Sequence, residues 1–179
     1  MKFIVVFFIL FSTLYADMTE KLFEFYQQGM YNRGCEAGEK YFQAHQKDET
    51  YVSLYAFSCL KDDRIDSLAL PITLLNTSVE ARSNAAYFTL LIMQKKLLIQ
   101  SLYDNKPLYN LKFPTSSHLL SRIFDLYLKN PEVGELIKEY QDPANPRQTY
   151  KLYTTLKNGR KTIAIDEYYD KILTLHHVY

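Results

Sequence analysis

Two cysteines, Cys35 and Cys59, are the residues whose type and spacing indicate the most specific chemistry. In an exported protein, an even number of cysteines favours a disulfide. The midpoint of 35 and 59 is 47, the centre of a polar turn (residues 46–49) between two predicted helices. Residues equidistant from such a turn lie level on neighbouring antiparallel helices, so the two sulfur atoms should meet. We predict a disulfide between them, and two buried free thiols are the alternative.

The histidines and acidic pairs do not show a catalytic or metal-binding spacing. None of the four histidines forms an H-x-x-x-H pattern or lies in a nucleophile motif. His176 and His177 are adjacent, and on a strand they would point to opposite faces. The pairs Asp62-Asp63 and Asp166-Glu167 are placed at turns, where solvated carboxylates are expected. We therefore predict no catalytic residues, no metal and no cofactor.

The first 16 residues, MKFIVVFFILFSTLYA, have the basic, apolar and small-residue order of a secretory signal peptide. The apolar stretch is shorter than the about 20 residues that a membrane-spanning helix needs. We predict cleavage after Ala16 and an exported protein, periplasmic or secreted, that is soluble and has no stable transmembrane anchor. An uncleaved anchor or a buried N-terminal helix is the alternative. Lys and Arg number 21 against 20 Asp and Glu, which disfavours a polybasic nucleic-acid binder.

After the signal peptide, apolar residues recur at helical spacing up to residue 103. Asp17 and Glu20 form a capping-box pattern at the first helix, and Gly29 should end it. Pro71 should kink or shorten the fourth helix. The further helices are predicted at 32–45, 50–60, 65–75 and 79–103.

A shift of 34 residues aligns apolar positions along this helical region. It superposes Leu22 on Ala56 and Leu90, and Phe23 on Phe57 and Leu91. Thirty-four residues is the length of a tetratricopeptide (TPR) repeat of two helices. With this period, the segment Q28-G29-M30-Y31 resembles the turn that opens the second helix of such a repeat. The chain is thus similar to TPR-like or Sel1-like helical-hairpin repeat proteins, and a plain helical bundle is the alternative.

The resemblance implies a concave groove, lined by the first helix of each repeat, that binds a protein or peptide. The residues it places there are Phe23, Tyr26, Phe57, Leu60, Lys61, Tyr87, Leu91 and Lys95. The alternative is that several of the aromatic side chains among them belong to the core, because apolar stripes at helical spacing usually do.

The C-terminal part of the sequence changes its period from helix to strand. A helix is predicted from about 116 to 128, and Asn130-Pro131 predicts a short helix up to residue 140. Residues 141–147 read as a proline-rich linker. Alternating residues on both sides of Asn158-Gly159 then predict a hairpin that pairs Leu152 with Ile165, Thr154 with Ile163 and Lys151 with Asp166. Residues 172–179 are a candidate third strand.

Together these patterns predict a mainly α protein, an antiparallel helical-hairpin (TPR-like) solenoid followed by a β-hairpin or three-stranded element. The predicted organisation is signal peptide (1–16), helical repeat-like domain (17–140), linker (141–147) and hairpin region (148–179). The expected function is a non-enzymatic interaction or scaffold module that binds a protein of the cell envelope. The alternatives are an envelope hydrolase without a recognisable motif, or a small subunit that pairs its C-terminal strands with a partner.

Overall fold

The structure, a computed structural model, describes residues 18–131, 134 and 136–179. The predicted signal peptide lies outside the described residues. Helices come first along the chain and an antiparallel four-stranded sheet follows, which confirms the predicted order. The chain divides into two compact units, one up to Thr89 and one from Leu90 to Tyr179.

The helical region contains short helices joined by tight turns. Residues 18–27 are helical (α1), and the helices that follow are α2 (Tyr31–His45), α3 (Glu49–Lys61), α4 (Ala69–Leu74), α5 (Val79–Asp104) and α6 (Leu119–Lys129). A 3-10 helix, Ile65–Leu68, precedes α4. Pro71 cannot donate a backbone hydrogen bond to Ser67, so the predicted helix over 65–75 is divided into these two pieces.

Gly29 ends the first helix, as predicted. Its φ of +70° is a left-handed conformation that glycine adopts without steric cost. The amide of Met30 donates to the carbonyl of Phe25 at 2.8 Å, and the amide of Gly29 donates to Tyr26 at 3.1 Å. These two bonds form a Schellman motif, which satisfies carbonyl groups that the helix itself leaves unpaired.

Helices α2 and α3 form a closely packed hairpin. Cys35 and Cys59 are joined by a disulfide with their Cα atoms 4.6 Å apart, which confirms the predicted pairing. Gly34 and Gly38 allow this approach: a Cβ atom at Gly38 would lie 2.4 Å from Cδ2 of Tyr55. The turn before α3 is closed by Asp48, whose carboxylate accepts the amides of Thr50 and Tyr51 at 3.0 and 3.2 Å.

The sheet has the strand order β1-β2-β3-β4, with every neighbouring pair antiparallel. Its strands are β1 (Ile137–Gln141), β2 (Gln148–Lys157), β3 (Arg160–Tyr169) and β4 (Ile172–Val178). The pairing of Leu152 with Ile165, Thr154 with Ile163 and Lys151 with Asp166 is confirmed. Asn158 and Gly159 both have positive φ, 52° and 75°, as a type I′ turn requires. Strand β4 is the predicted third strand.

The prediction of a short helix over residues 130–140 is wrong. Ile137–Gln141 is instead a strand, which pairs with β2 from Ile137↔Tyr153 to Gln141↔Thr149. Asn130 follows α6 and donates its amide to the carbonyl of Tyr127 at 3.2 Å, so it ends one helix rather than starting another. Gly134 has a φ of +106°, which a helix cannot accommodate. The sheet therefore begins before the predicted linker.

In the second unit, one face of the sheet is apolar and buried. Tyr150, Leu152, Ile163 and Ile165 are all at most 1% exposed. Along β2 they alternate with half-buried neighbours, whereas Ala164, between the two isoleucines of β3, is buried as well. Helix α6 contacts this face through Arg122, which donates to the Tyr150 hydroxyl at 3.0 Å. The same hydroxyl donates to Asp142 at 2.7 Å, after the end of β1. This chain of polar contacts ties α6 to the first and second strands.

Candidate functional site

Three aromatic side chains from three helices form a row in the first unit, which we call the aromatic row: Tyr26, Phe57 and Tyr87. The ring of Phe57 lies in the middle, 6.4 Å from that of Tyr26 and 6.4 Å from that of Tyr87. Each of the three is half-buried, so part of each ring faces solvent. Tyr31 extends the row at one end, with its ring 5.4 Å from Tyr26.

The base of the aromatic row is held by the core. Phe88 is fully buried, and its ring meets that of Phe57 edge-on at 4.9 Å. Edge-to-face pairs of this kind contribute about 0.5–1.5 kcal/mol beyond the burial of their area. The row is thus rigid on its inner side and accessible on its outer side, an arrangement suited to binding another molecule without a large loss of side-chain entropy.

A depression of about 290 Å³ lies beside Phe57, between α3 and the start of α5. Its apolar part includes Leu54 and Ala81, and Asn84 lies at its polar side, donating to the Ser53 hydroxyl at 3.2 Å. Sequence reasoning missed Leu54 and Asn84 as lining residues. Leu54 precedes Phe57 by three positions on α3, a spacing that puts both on one helix face and could have indicated it.

The other residues of the predicted groove are distributed differently. Phe23 is 48% exposed, and Lys61 is exposed at the end of α3. Leu60 is buried in the first unit, while Leu91 and Lys95 are buried in the second. These three positions are therefore core, and none of them is aromatic. Protein binding by the remaining five, Phe23, Tyr26, Phe57, Lys61 and Tyr87, stays a prediction.

One wall of the depression is positioned by the carboxylate of Glu49, the first residue of α3. Its oxygens accept the backbone amides of Asn76, Thr77 and Ser78 at 3.0, 2.6 and 2.9 Å. The hydroxyl of Ser78 in turn accepts the amide of Ala81 at 3.0 Å and caps α5. The amide of Thr77, with those of Ser78 and Asn76, lowers the pKa of Glu49 to about 2.

We expect the Glu49 contacts to make the stability of the first unit depend on pH in acid. Because this pKa is lowered by folding, the ionised carboxylate stabilises the fold above the unfolded value of about 4.3. That contribution is lost as the pH falls through about 2. The substitution Glu49→Gln should therefore lower the urea midpoint at pH 7 and have no effect at the lowest pH. Glu80→Gln, on the exposed first turn of α5, is the matched control and should leave the urea midpoint unchanged. If Glu49→Gln lowered the urea midpoint equally at all pH values, the expectation would be contradicted.

The second unit contains a polar cluster on the sheet face opposite the buried one. Nδ1 of His176 lies 2.6 Å from Oδ1 of Asp166, and the Tyr153 hydroxyl donates to the same carboxylate at 3.3 Å. His177 instead lies 3.2 Å from Glu167, so the two histidines point to opposite faces, as predicted for adjacent strand residues. The prediction that Asp166-Glu167 sits at a turn is wrong, because both lie within β3.

An imidazole held by a carboxylate can act as a general base when a hydroxyl or thiol lies beside it. Within residues 18–131, 134 and 136–179, no serine, threonine or cysteine side chain hydrogen-bonds to the imidazole of His176. The same residues contain no group of three His, Cys, Asp or Glu side chains that could hold a metal ion. The Asp166–His176 pair links β3 to β4.

No protein-family model, no curated protein and no solved structure matches this chain. Along the described part of the chain, no helix is both long and apolar enough to cross a bilayer.

Proposed function

We propose that this protein is an exported, non-enzymatic interaction module that binds a protein of the cell envelope through the aromatic row. The observation that carries the proposal is the partial exposure of Tyr26, Phe57 and Tyr87 as one continuous set of rings. Aromatic side chains are enriched in protein interfaces and supply many of their strongest contacts. The helical-hairpin repeat arrangement belongs to this proposal, since it would place the first helices of successive hairpins side by side.

The depression beside the aromatic row defines the chemistry of the bound segment. Leu54, Phe57 and Ala81 supply an apolar wall, and Asn84 supplies an amide at its polar side. A peptide segment with one apolar side chain would bury that side chain in the depression. Its backbone groups would form hydrogen bonds with the side-chain amide of Asn84. Such a pocket next to exposed rings is the usual form of an anchor site in protein interfaces.

Export is the second part of the proposal, and the disulfide supports it. Disulfides persist in oxidising compartments such as the periplasm and the extracellular space, and are rare in the cytosol. Cys35 and Cys59 are fully buried and bonded in the first unit. In the proposal, residues 1–16 direct export and the mature chain begins at Asp17.

Site-specific photocrosslinking in the native envelope tests the binding surface. A photoreactive residue at Phe23 or at Lys61, both exposed, should yield one crosslinked protein of defined mass. Adding Tyr26→Ser and Tyr87→Ser to either variant should reduce that product at least tenfold, since an interface aromatic contributes about 2 kcal/mol or more.

A photoreactive residue at Leu70 is the matched control. Leu70 is 51% exposed on α4, in the same unit, and contributes no ring to the aromatic row. It should yield no product. Equal crosslinking from Leu70, or an undiminished product after the two tyrosine substitutions in a protein with an unchanged melting temperature, would overturn the proposal.

A further inference from the structure

Strand β4 lies at the edge of the sheet and, among residues 18–131, 134 and 136–179, pairs with β3 alone. Three of its apolar side chains are strongly exposed: Ile172 is 69% exposed, Leu173 52% and Leu175 55%. Edge strands leave a row of backbone donors and acceptors without a strand partner, and folded proteins usually protect them with charges, proline or a covering segment. Here the exposed apolar side chains accompany an edge that no further strand of the described residues covers.

The two edges of this sheet differ in their protection. Strand β1 has five residues and carries Lys138 and Glu139, whereas β4 has seven residues, ILTLHHV, with no Lys, Arg, Asp, Glu, Pro or Gly. A short segment of high strand propensity and without formal charge is the pattern that pairs with another strand. The composition therefore marks β4, not β1, as the edge built for pairing.

The pairing register with β3 defines which backbone groups of β4 are available. The amide of Tyr179 donates to the carbonyl of Ile163, so residues 179, 177 and 175 use their backbone groups toward β3. The amide and carbonyl of His176 then point away from β3. A bulge at the Glu167/Tyr168 register shift interrupts the ladder before Leu175, and Lys157 donates to the carbonyl of Val178 at 2.7 Å. Within the regular stretch, His176 thus presents both its amide and its carbonyl outward, whereas the Val178 carbonyl accepts from Lys157.

We propose that β4 pairs antiparallel with β4 of a second copy of this chain, about a two-fold axis through His176. This register places Leu175 opposite His177, and at each end the bulge residue Thr174 opposite Val178. A second copy fits because the strand carries no Lys, Arg, Asp or Glu, so self-pairing brings no like formal charges of these residues together. Each His176 also stays beside its own Asp166, with Nδ1 2.6 Å from Oδ1.

The pairing joins two four-stranded sheets into one continuous sheet and is an isologous interface, which closes after two copies. Its ladder is short, so the dimer is weak and depends on protein concentration. Lys157 must release the Val178 carbonyl for the outermost pair to form. The interface lies in the second unit and does not involve the aromatic row. A test of the dimer is therefore independent of a test of the protein binding proposed above.

Disulfide trapping tests the register directly. With the chain otherwise intact, His176→Cys places two cysteines directly opposite each other at the axis, about 5.5 Å apart between Cα atoms, a separation that a disulfide spans. Mild oxidation should convert this variant to a covalent dimer. Leu173→Cys is the matched control on the same strand: in this register it lies six positions from its counterpart, about 20 Å away, and should stay monomeric.

Light scattering after gel filtration tests the interface without trapping. The mass of the wild-type protein should rise toward twice the monomer value with increasing concentration. His176→Pro should abolish the rise, since proline removes the outward-facing amide but is tolerated on an edge strand. His176→Thr keeps the amide and should still dimerise. A wild-type protein that stays monomeric up to millimolar concentration, or equal trapping of the Leu173→Cys variant, would overturn the proposal.

Discussion

Replacing both cysteines of the α2–α3 hairpin, in a Cys35→Ala, Cys59→Ala variant, should lower the free energy of unfolding of the first unit by about 3–4 kcal/mol. The bond joins residues separated by 24 positions, and removing it restores the conformational freedom of that loop in the unfolded chain. Because both side chains are fully buried, the two helices also lose packing where they lie closest. The melting temperature of the helical unit should fall by more than about 10 °C.

Urea titrations followed by circular dichroism, with and without reductant, measure this effect. The reductant should move the midpoint of the wild-type protein toward that of the double-alanine variant, and it should leave the variant unchanged. The experiment requires alkylation to show that both thiols have been freed. If the midpoint of the wild-type protein did not move after complete reduction, the disulfide would not stabilise the fold as expected.

The second large effect is expected from Gly38→Ala on the same hairpin. The added Cβ would lie 2.4 Å from Cδ2 and 2.8 Å from Cβ of Tyr55, so the backbones of α2 and α3 must separate to accept it. The disulfide three residues away opposes that separation. Overpacking costs about 1–3 kcal/mol, and the better helix propensity of alanine returns about 1 kcal/mol. We expect the overpacking cost to lie at the upper end of this range, so that the free energy of unfolding falls by a net of about 2 kcal/mol.

Gly34→Ala is the matched control for this substitution. Its Cβ would meet the Ser58 hydroxyl at 2.6 Å, and that hydroxyl can rotate away because it makes no hydrogen bond to the described residues. Its loss should therefore be smaller. In the double-alanine background without the disulfide, the cost of Gly38→Ala should also decrease, because the helices can then move apart. A Gly38→Ala protein as stable as the wild type would show that the hairpin is not closed by this contact.

The candidate site was only partly accessible to sequence reasoning. The resemblance to TPR-like repeats placed Phe57 and Tyr87 in one groove, and the structure brings their rings to 6.4 Å. The same resemblance also placed Leu60 and Leu91 there, and both are buried. Periodicity identifies the apolar side of a helix, but exposure depends on which neighbouring helix covers that side, and that is a tertiary property.

Local interactions let the sequence by itself determine several features of this protein. Gly29 ends a helix because glycine, which has no Cβ, adopts the left-handed conformation without a steric clash. Asn158-Gly159 sets the register of β2 and β3 because a two-residue turn allows only one way of pairing the residues on either side of it. Cys35 and Cys59 meet because a short turn forces the helices that carry them to run antiparallel. In each case the residues that decide the outcome are close in sequence or symmetric about one turn.

Tertiary contacts decided the rest. Ile137–Gln141 contains Lys, Glu and Gln, which favour helices, but it forms a strand. Each of its five residues pairs with a residue of β2, from Tyr153 to Thr149. The turn between β3 and β4 has positive φ at Asp170, a residue type that tolerates this conformation, and at Lys171, a type that does not favour it. Arg147, after β1, holds that turn by donating from Nε to Asp170 at 2.8 Å. The pairing of β1 with β2 and the contact of Arg147 with Asp170 join residues that are far apart in sequence. These contacts form only in the folded chain, where they stabilise backbone conformations that the local sequence does not favour.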